Sequence, residues 1–228
     1  VRVAALYVAK GGIYDGRDDV DLWDQERDAR LYPGPYPVVA HPPCKRWGRY
    51  WNGGPSANVP RLKGDDGGCF SSALHSVRLW GGVLEHPAHS SAWLWHGLRE
   101  PVAGEGWRPA DLHGFTCHVE QGHYGHRARK ATWLYAVRCA LPDLDWSEGA
   151  SRTRLDPGYR DAEQARRARR SQRERRTGVR QLLSAEQRAA TPPEFARIML
   201  DMALSVNPAE ARVPQSGVES LDLFEAAP

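Results

Sequence analysis

Four short apolar runs, set apart by longer polar or amphipathic stretches, constrain the fold of this chain more than any other feature. Val3 to Val8, Pro37-Val38-Val39-Ala40, Gly82-Val83-Leu84 and Ala131 to Val137 have the length of strands and are too short for independent helices. Their nearly continuous apolar character, without a polar residue at every second place, is that of strands covered on both faces, as in parallel sheets. Cys69 to Trp80 instead carries apolar residues at helical spacing. Trp93 to Leu98 reads as a short helix, Ser184 starts a helix or turn, and Pro192 opens a last helix over Pro193 to Leu204. Asp18 to Asp28 is acidic and reads as a loop or short helix. Residues 52 to 68 have the Gly, Pro and Asp composition of a mobile loop. Strands alternating with helices define an α/β domain with a largely parallel sheet, whose working residues lie in loops at the carboxyl ends of the strands.

The 228 residues suffice for one good core or one domain with a small appendage. No apolar stretch approaches the roughly 20 residues that span a bilayer. The first strand lacks the basic start and long apolar run of a signal peptide, so a cytosolic protein without membrane partners is expected. Cys44, Cys69, Cys117 and Cys139 are dispersed, with no Cys-x-x-Cys pair, which argues against a disulfide framework and a zinc ribbon. His86, His89 and His96 lack the frame of a ligand motif, and no metal is expected. Net charge is only +3, yet nine arginines fall between residues 160 and 180. That segment reads as a phosphate-binding stretch or as a solvated helix.

Two short motifs carry chemistry. In His41-Pro42-Pro43-Cys44 the thiol follows a strand and two prolines, which stiffen its loop. Lys45 and Arg46 come next, and nearby cations favour the reactive thiolate. Trp47, Tyr50 and Trp51 are placed either to stack on a base or to pack the loop. In Gly82-Val83-Leu84-Glu85-His86-Pro87 a carboxyl ends an apolar strand. Partial desolvation there is expected to raise its pKa, unless Glu85 caps a turn or pairs with an arginine.

Taken together these motifs resemble the cytosine-C5 DNA methyltransferases, whose Pro-Cys loop follows one strand and whose Glu-Asn-Val run follows the next. Tyr124-Gly125 through Thr132 is similar to the family's Gln-x-Arg-x-Arg motif, with Lys130 at the first arginine, Ala128 at the glutamine and Thr132 at the second arginine. Arg188-Ala189-Ala190-Thr191-Pro192-Pro193-Glu194-Phe195-Ala196-Arg197 resembles the family's Arg-x-Leu-Thr-Pro-Arg-Glu-Cys-Ala-Arg run. The family's methyl-donor loop would correspond to Ala5 through Gly12, which lacks the acid and the first glycine. His86 stands where the family has asparagine.

The resemblance implies a compact, divergent enzyme with a Rossmann-like methyltransferase-type, mostly parallel sheet and flanking helices. It implies Cys44 as the nucleophile at C6 of a flipped-out pyrimidine in DNA, Glu85 as the partner of ring N3, and substitution at C5. Lys45, Arg46, Trp47, His86, Lys130 and Arg188 would contact substrate or DNA. Tyr7, Gly11 and Gly12 would contact S-adenosylmethionine, the donor it implies. The expected layout is a catalytic domain over residues 1–139, an Arg-rich insertion over 140–187 in the target-recognition position, a returning helix over 188–206, and a tail over 207–228. Within the tail, Ser220-Leu221-Asp222-Leu223-Phe224 resembles a sliding-clamp-binding peptide anchored by Leu221, Leu223 and Phe224. The alternatives are an enzyme that works without S-adenosylmethionine on a modified pyrimidine or free pyrimidine nucleotide, and a non-catalytic DNA-binding module on the same scaffold.

Overall fold

The computed structural model describes residues 2–48, 51–52, 61–151, 183 and 185–207. The arginine cluster of residues 160–180 and the clamp-like peptide near the C-terminus lie outside the described residues. The elements are β1 (Val3–Leu6), β2 (Val20–Trp23), β3 (Val38–Ala40), α1 (Cys69–Trp80), β4 (Gly82–Pro87), α2 (Ala92–Trp95), β5 (Arg108–Pro109), β6 (Phe115–Glu120), β7 (Ala131–Val137), α3 (Ala185–Ala189) and α4 (Pro193–Leu204). Single turns of 3-10 helix cover Ala29–Leu31 and Gln121–Tyr124.

All seven strands form one sheet in the order β2-β1-β3-β4-β7-β6-β5. Pairings among β2, β1, β3 and β4 are parallel, whereas β4–β7, β7–β6 and β6–β5 are antiparallel. The sheet is therefore mixed, and the expectation of a mostly parallel one is corrected. The reason is local: β6 and β7 are joined by the short stretch 121–130, long enough for a hairpin and too short for a parallel crossover. β2, β5 and β6 are the strands the sequence conceals, and β2 lies in Asp18 to Asp28, where a loop or short helix was expected. β2 is an edge strand of intermediate burial that holds Asp21, and Thr116, His118 and Glu120 interrupt the apolar run of β6 although all three are buried.

Each face of the sheet is covered. On one, Phe70, Ala73, Leu74 and Val77 of α1 pack with Leu6, Val38, Ala40, Leu84, Trp133 and Tyr135. Their spacing puts these four on one stripe of the helix, and burying a side chain such as Phe70 contributes about 1.5–3 kcal/mol. On the other face, Phe195, Ala196, Met199, Leu200 and Ala203 of α4 pack with Val3, Ala5, Val39, Val83, Leu134 and Ala136. Pro193 at the first turn of α4 needs no N–H partner there, which fits it to start the helix. Gly82 is obligatory by a different route. Its φ is +114°, and a Cβ would lie 2.0 Å from the Val38 carbonyl oxygen, so only a bare backbone lets β4 approach β3. Among the described residues no helix is long and apolar enough to cross a membrane.

Candidate active site around Cys44 and Glu85

β1 pairs with β2 on one side and β3 on the other, so the loops leaving β1 and β3 diverge to opposite sides. In open α/β sheets a crevice forms at such a switch point, beyond the carboxyl ends of the strands. The loop leaving β3 begins with His41 and Pro42 and reaches Cys44, whose carbonyl accepts from the N–H groups of Trp47 (3.0 Å) and Gly48 (3.2 Å). One strand over, the register aligns Val39 with Val83 and Ala40 with Leu84. The next residues, His41 and Glu85, are thereby brought side by side.

Glu85 is the hub of a buried polar chain. One carboxylate oxygen meets His41 Nδ1 at 3.1 Å, and the other accepts from Gln121 Nε2 at 2.9 Å. His41 Nε2 faces the Tyr14 hydroxyl at 2.9 Å. Gln121 Nε2 also donates to the Thr132 hydroxyl, which in turn donates to the Lys130 carbonyl, each at 2.9 Å. A carboxylate only accepts, so His41 Nδ1 carries a proton in this network and Nε2 is free to accept from Tyr14. Lys130 lies within electrostatic reach of both Glu85 and Cys44, while its Nζ donates to the carbonyls of Ala189 (3.1 Å) and Ala190 (2.7 Å) just behind α3.

The electrostatics reverse both sequence-based expectations. Burial alone pushes the Glu85 carboxyl up, but the His41 hydrogen bond, the Lys130 charge and the neighbouring His41 and His86 rings outweigh it. The net result is a carboxyl lowered to about 2, so Glu85 is an ionised acceptor and not a raised-pKa acid. The Cys44 thiol is pushed up, first by desolvation and then by the Glu85 charge; Lys130 and Lys45 oppose the shift without overcoming it. Cys44 is exposed to solvent as a residue. Its thiol is nevertheless crowded by protein on most sides, and crowding of that atom decides its ionisation. Cys44 therefore rests as a thiol and not as the thiolate that its cationic neighbours suggest.

The other expected site residues separate into groups. His86 is fully buried, because side chains alternate across a strand and its neighbour Glu85 takes the opposite face. It packs edge-on to Phe70 and stacks on Trp93, and burial pushes its pKa down to about 4. Its ring belongs to the core. Trp47 is also internal, 2% exposed, with Nε1 donating to Asp66 at 2.7 Å and its ring against Phe70, Trp95 and His96. Packing, not base stacking, is its role. Lys45 and Arg46 remain beside Cys44 and share a shallow groove with Pro43, Arg61, Asp65 and Asp66. Lys130 faces inward and not toward a phosphate, and Arg188 is exposed on α3. His41, Gln121 and Tyr14 join this network without having been singled out from the sequence, and Thr132 was placed only as the end of the Tyr124-to-Thr132 motif. Of the first three, only His41 had a signal, its place at the mouth of a strand beside Cys44.

S-adenosylmethionine would occupy the loop leaving β1 and the end of β2. There the Gly11 N–H already donates to Asp15 (2.6 Å) and the Gly12 N–H to the Ala9 carbonyl (3.1 Å). Tyr7 turns back onto the core, with φ +62°. Asp24, the acid just past β2, accepts from the backbone of Glu26 and Arg27 and faces Lys10, which also pairs with Glu26. The amides and the carboxylate that a donor nucleoside needs are thus committed within the loop, and these residues do not fit the group. Among the described residues no cluster of three or more His, Cys, Asp or Glu side chains could hold a metal ion. No family model, curated protein or solved structure matches the chain.

Proposed function

We propose that this chain is a DNA base-modifying enzyme of the cytosine-C5 methyltransferase type, in which Cys44 adds to C6 of a pyrimidine and C5 is then substituted. The observation that carries the reading is the convergence of Cys44 and Glu85, from adjacent parallel strands, beside the switch point of the sheet. Parallel strands on one side of β4 and a reversed hairpin on the other agree with a Rossmann-like, methyltransferase-type sheet. Addition requires the thiolate: the S–C6 bond forms, and the C5=C6 electron pair moves to C5 and into the ring. Glu85, an acceptor, takes a hydrogen bond from a protonated N3 edge and stabilises that adduct. Lys130 supplies a positive charge to both residues. C5 then captures an electrophile, which is a solvent deuteron in the exchange test below; loss of the original C5 proton re-forms the C5=C6 bond, and the S–C6 electron pair returns to sulfur as the thiolate leaves. No step is assigned to S-adenosylmethionine. The committed loop after β1 favours, as a second reading, the same Cys44–Glu85 pair acting without that donor on a modified pyrimidine or free nucleotide.

Addition at C6 makes C5 basic, so the enzyme should exchange pyrimidine C5–H for deuterium in D2O even without a donor. Incubation with oligonucleotides or nucleotides, followed by mass spectrometry of the nucleosides, tests this. Wild type should exchange, and Cys44→Ser should lose at least about tenfold because oxygen is the weaker nucleophile. Equal exchange by Cys44→Ser, or none by wild type on either substrate, rejects the reading. Exchange confined to free nucleotides selects the second.

A further inference from the structure

Next to Glu85 in the crevice stands His41. Both of its ring nitrogens are engaged, Nε2 with Tyr14 and Nδ1 with Glu85. Tyr14 is 3% exposed, comes from the loop after β1, and lies with its ring centroid 5.5 Å from that of His41. The three side chains therefore cross the switch point, from the β1 loop through the β3 loop to β4. An imidazole fixed at both nitrogens cannot rotate without breaking a hydrogen bond at each end. That clamp decides which way its proton points.

We propose that His41, clamped by Tyr14, is a positioning residue that fixes Glu85 as a hydrogen-bond acceptor and thereby sets the reactivity of the Cys44 thiol. It rests on Cys44 and Glu85 forming the working pair, but not on the identity of the substrate. The groups facing Glu85 are His41 from the β3 loop, His86 from β4 itself, Lys130 ahead of β7, and Cys44; Tyr14 stands behind His41 with Arg17 near its hydroxyl. Of these, His41 is the one that donates a hydrogen bond to the carboxylate, and Gln121 holds the other oxygen as a neutral donor. Removing His41 leaves Lys130 and Gln121 against the full cost of burial, so the carboxylate accepts a proton more readily. Near neutrality the carboxylate still stays ionised, its charge no longer offset by the His41 donor, so it opposes the thiolate more strongly and Cys44 ionises at higher pH.

Alkylation of the full chain with iodoacetamide, read on the Cys44 peptide by mass spectrometry from mildly acidic to mildly alkaline pH, tests the idea without any substrate. Cys69, which sits apart from the network, serves as the internal reference. In His41→Phe the Cys44 curve should move to higher pH, with alkylation near neutrality roughly threefold or more slower than wild type. Tyr14→Phe, which keeps the His41 donor but releases its clamp, should move it the same way by less. Combining His41→Phe with Glu85→Gln should give the curve of Glu85→Gln alone. An unmoved curve in His41→Phe overturns the proposal, as does a shift that persists when Glu85 is already Gln. Should His41→Phe fail to fold, an unmoved curve in folded Tyr14→Phe overturns it as well. Inactivity in C5 exchange with the alkylation pattern intact would count against the proposed reaction and leave this inference standing.

Discussion

Replacing Glu85 by Gln probes the buried carboxylate through its linkage to pH. Folding lowers its pKa from the ordinary 4.5 to about 2, the His41 hydrogen bond and the Lys130 charge outweighing burial. A group depressed in this way stabilises the fold fully above its unfolded pKa, and that contribution is lost as pH falls through the folded value. The difference corresponds to about 3 kcal/mol. Glutamine is nearly isosteric and cannot titrate, so the stability gap between wild type and Glu85→Gln isolates this group from every other carboxylate. Between about pH 5 and about pH 2 the gap should shift by about 3 kcal/mol at wild type's expense. Urea titrations followed by tryptophan fluorescence suit the measurement, since Trp93 and Trp133 are wholly internal and report loss of the core. A gap that stays constant across that interval, or moves in wild type's favour on acidification, would refute the assignment of Glu85 as an ionised acceptor in the folded state.

Two further changes test the scaffold. Gly82→Ala should cost about 3 kcal/mol or more in urea titrations, since the new Cβ would meet Val38 backbone at 2.0 Å and adopt a φ of +114°; a loss below about 1 kcal/mol would contradict the close β3–β4 approach. Trp47→Phe removes the donor to Asp66, whose carboxylate also holds the Gly68 and Phe70 amides at the start of α1. It should destabilise the fold by about 2 kcal/mol and quicken alkylation of Cys44 on the same loop, whereas lost DNA binding at unchanged stability would restore a stacking role.

The strands that dominate the core were legible because burial on both faces demands apolar residues at successive positions: Val3 to Leu6, Val38 to Ala40 and Ala131 to Val137 follow that rule. The α1 and α4 helices declared themselves by their stripes and by Pro193. β2 and β6 did not, because an edge strand keeps polar residues and a buried hairpin strand can hide Thr116, His118 and Glu120 in hydrogen bonds and ring contacts that only the fold supplies. Cys44 and Glu85 were visible as chemically capable residues at the ends of apolar runs. Their ionisation was not visible.

Sequence by itself determined where the chain turns apolar, which segments are helical, and that a thiol and a carboxyl each follow an apolar strand. Tertiary structure alone decided that His86 and Trp47 belong to the core, that Tyr14, His41 and Gln121 belong to the site, and that Cys44 rests as a thiol beside an ionised Glu85. The physical reason is range. Periodicity and burial are properties of successive residues, whereas a pKa or a hydrogen-bonded chain is set by groups 27 to 44 positions apart, which touch only after the strands have found their register.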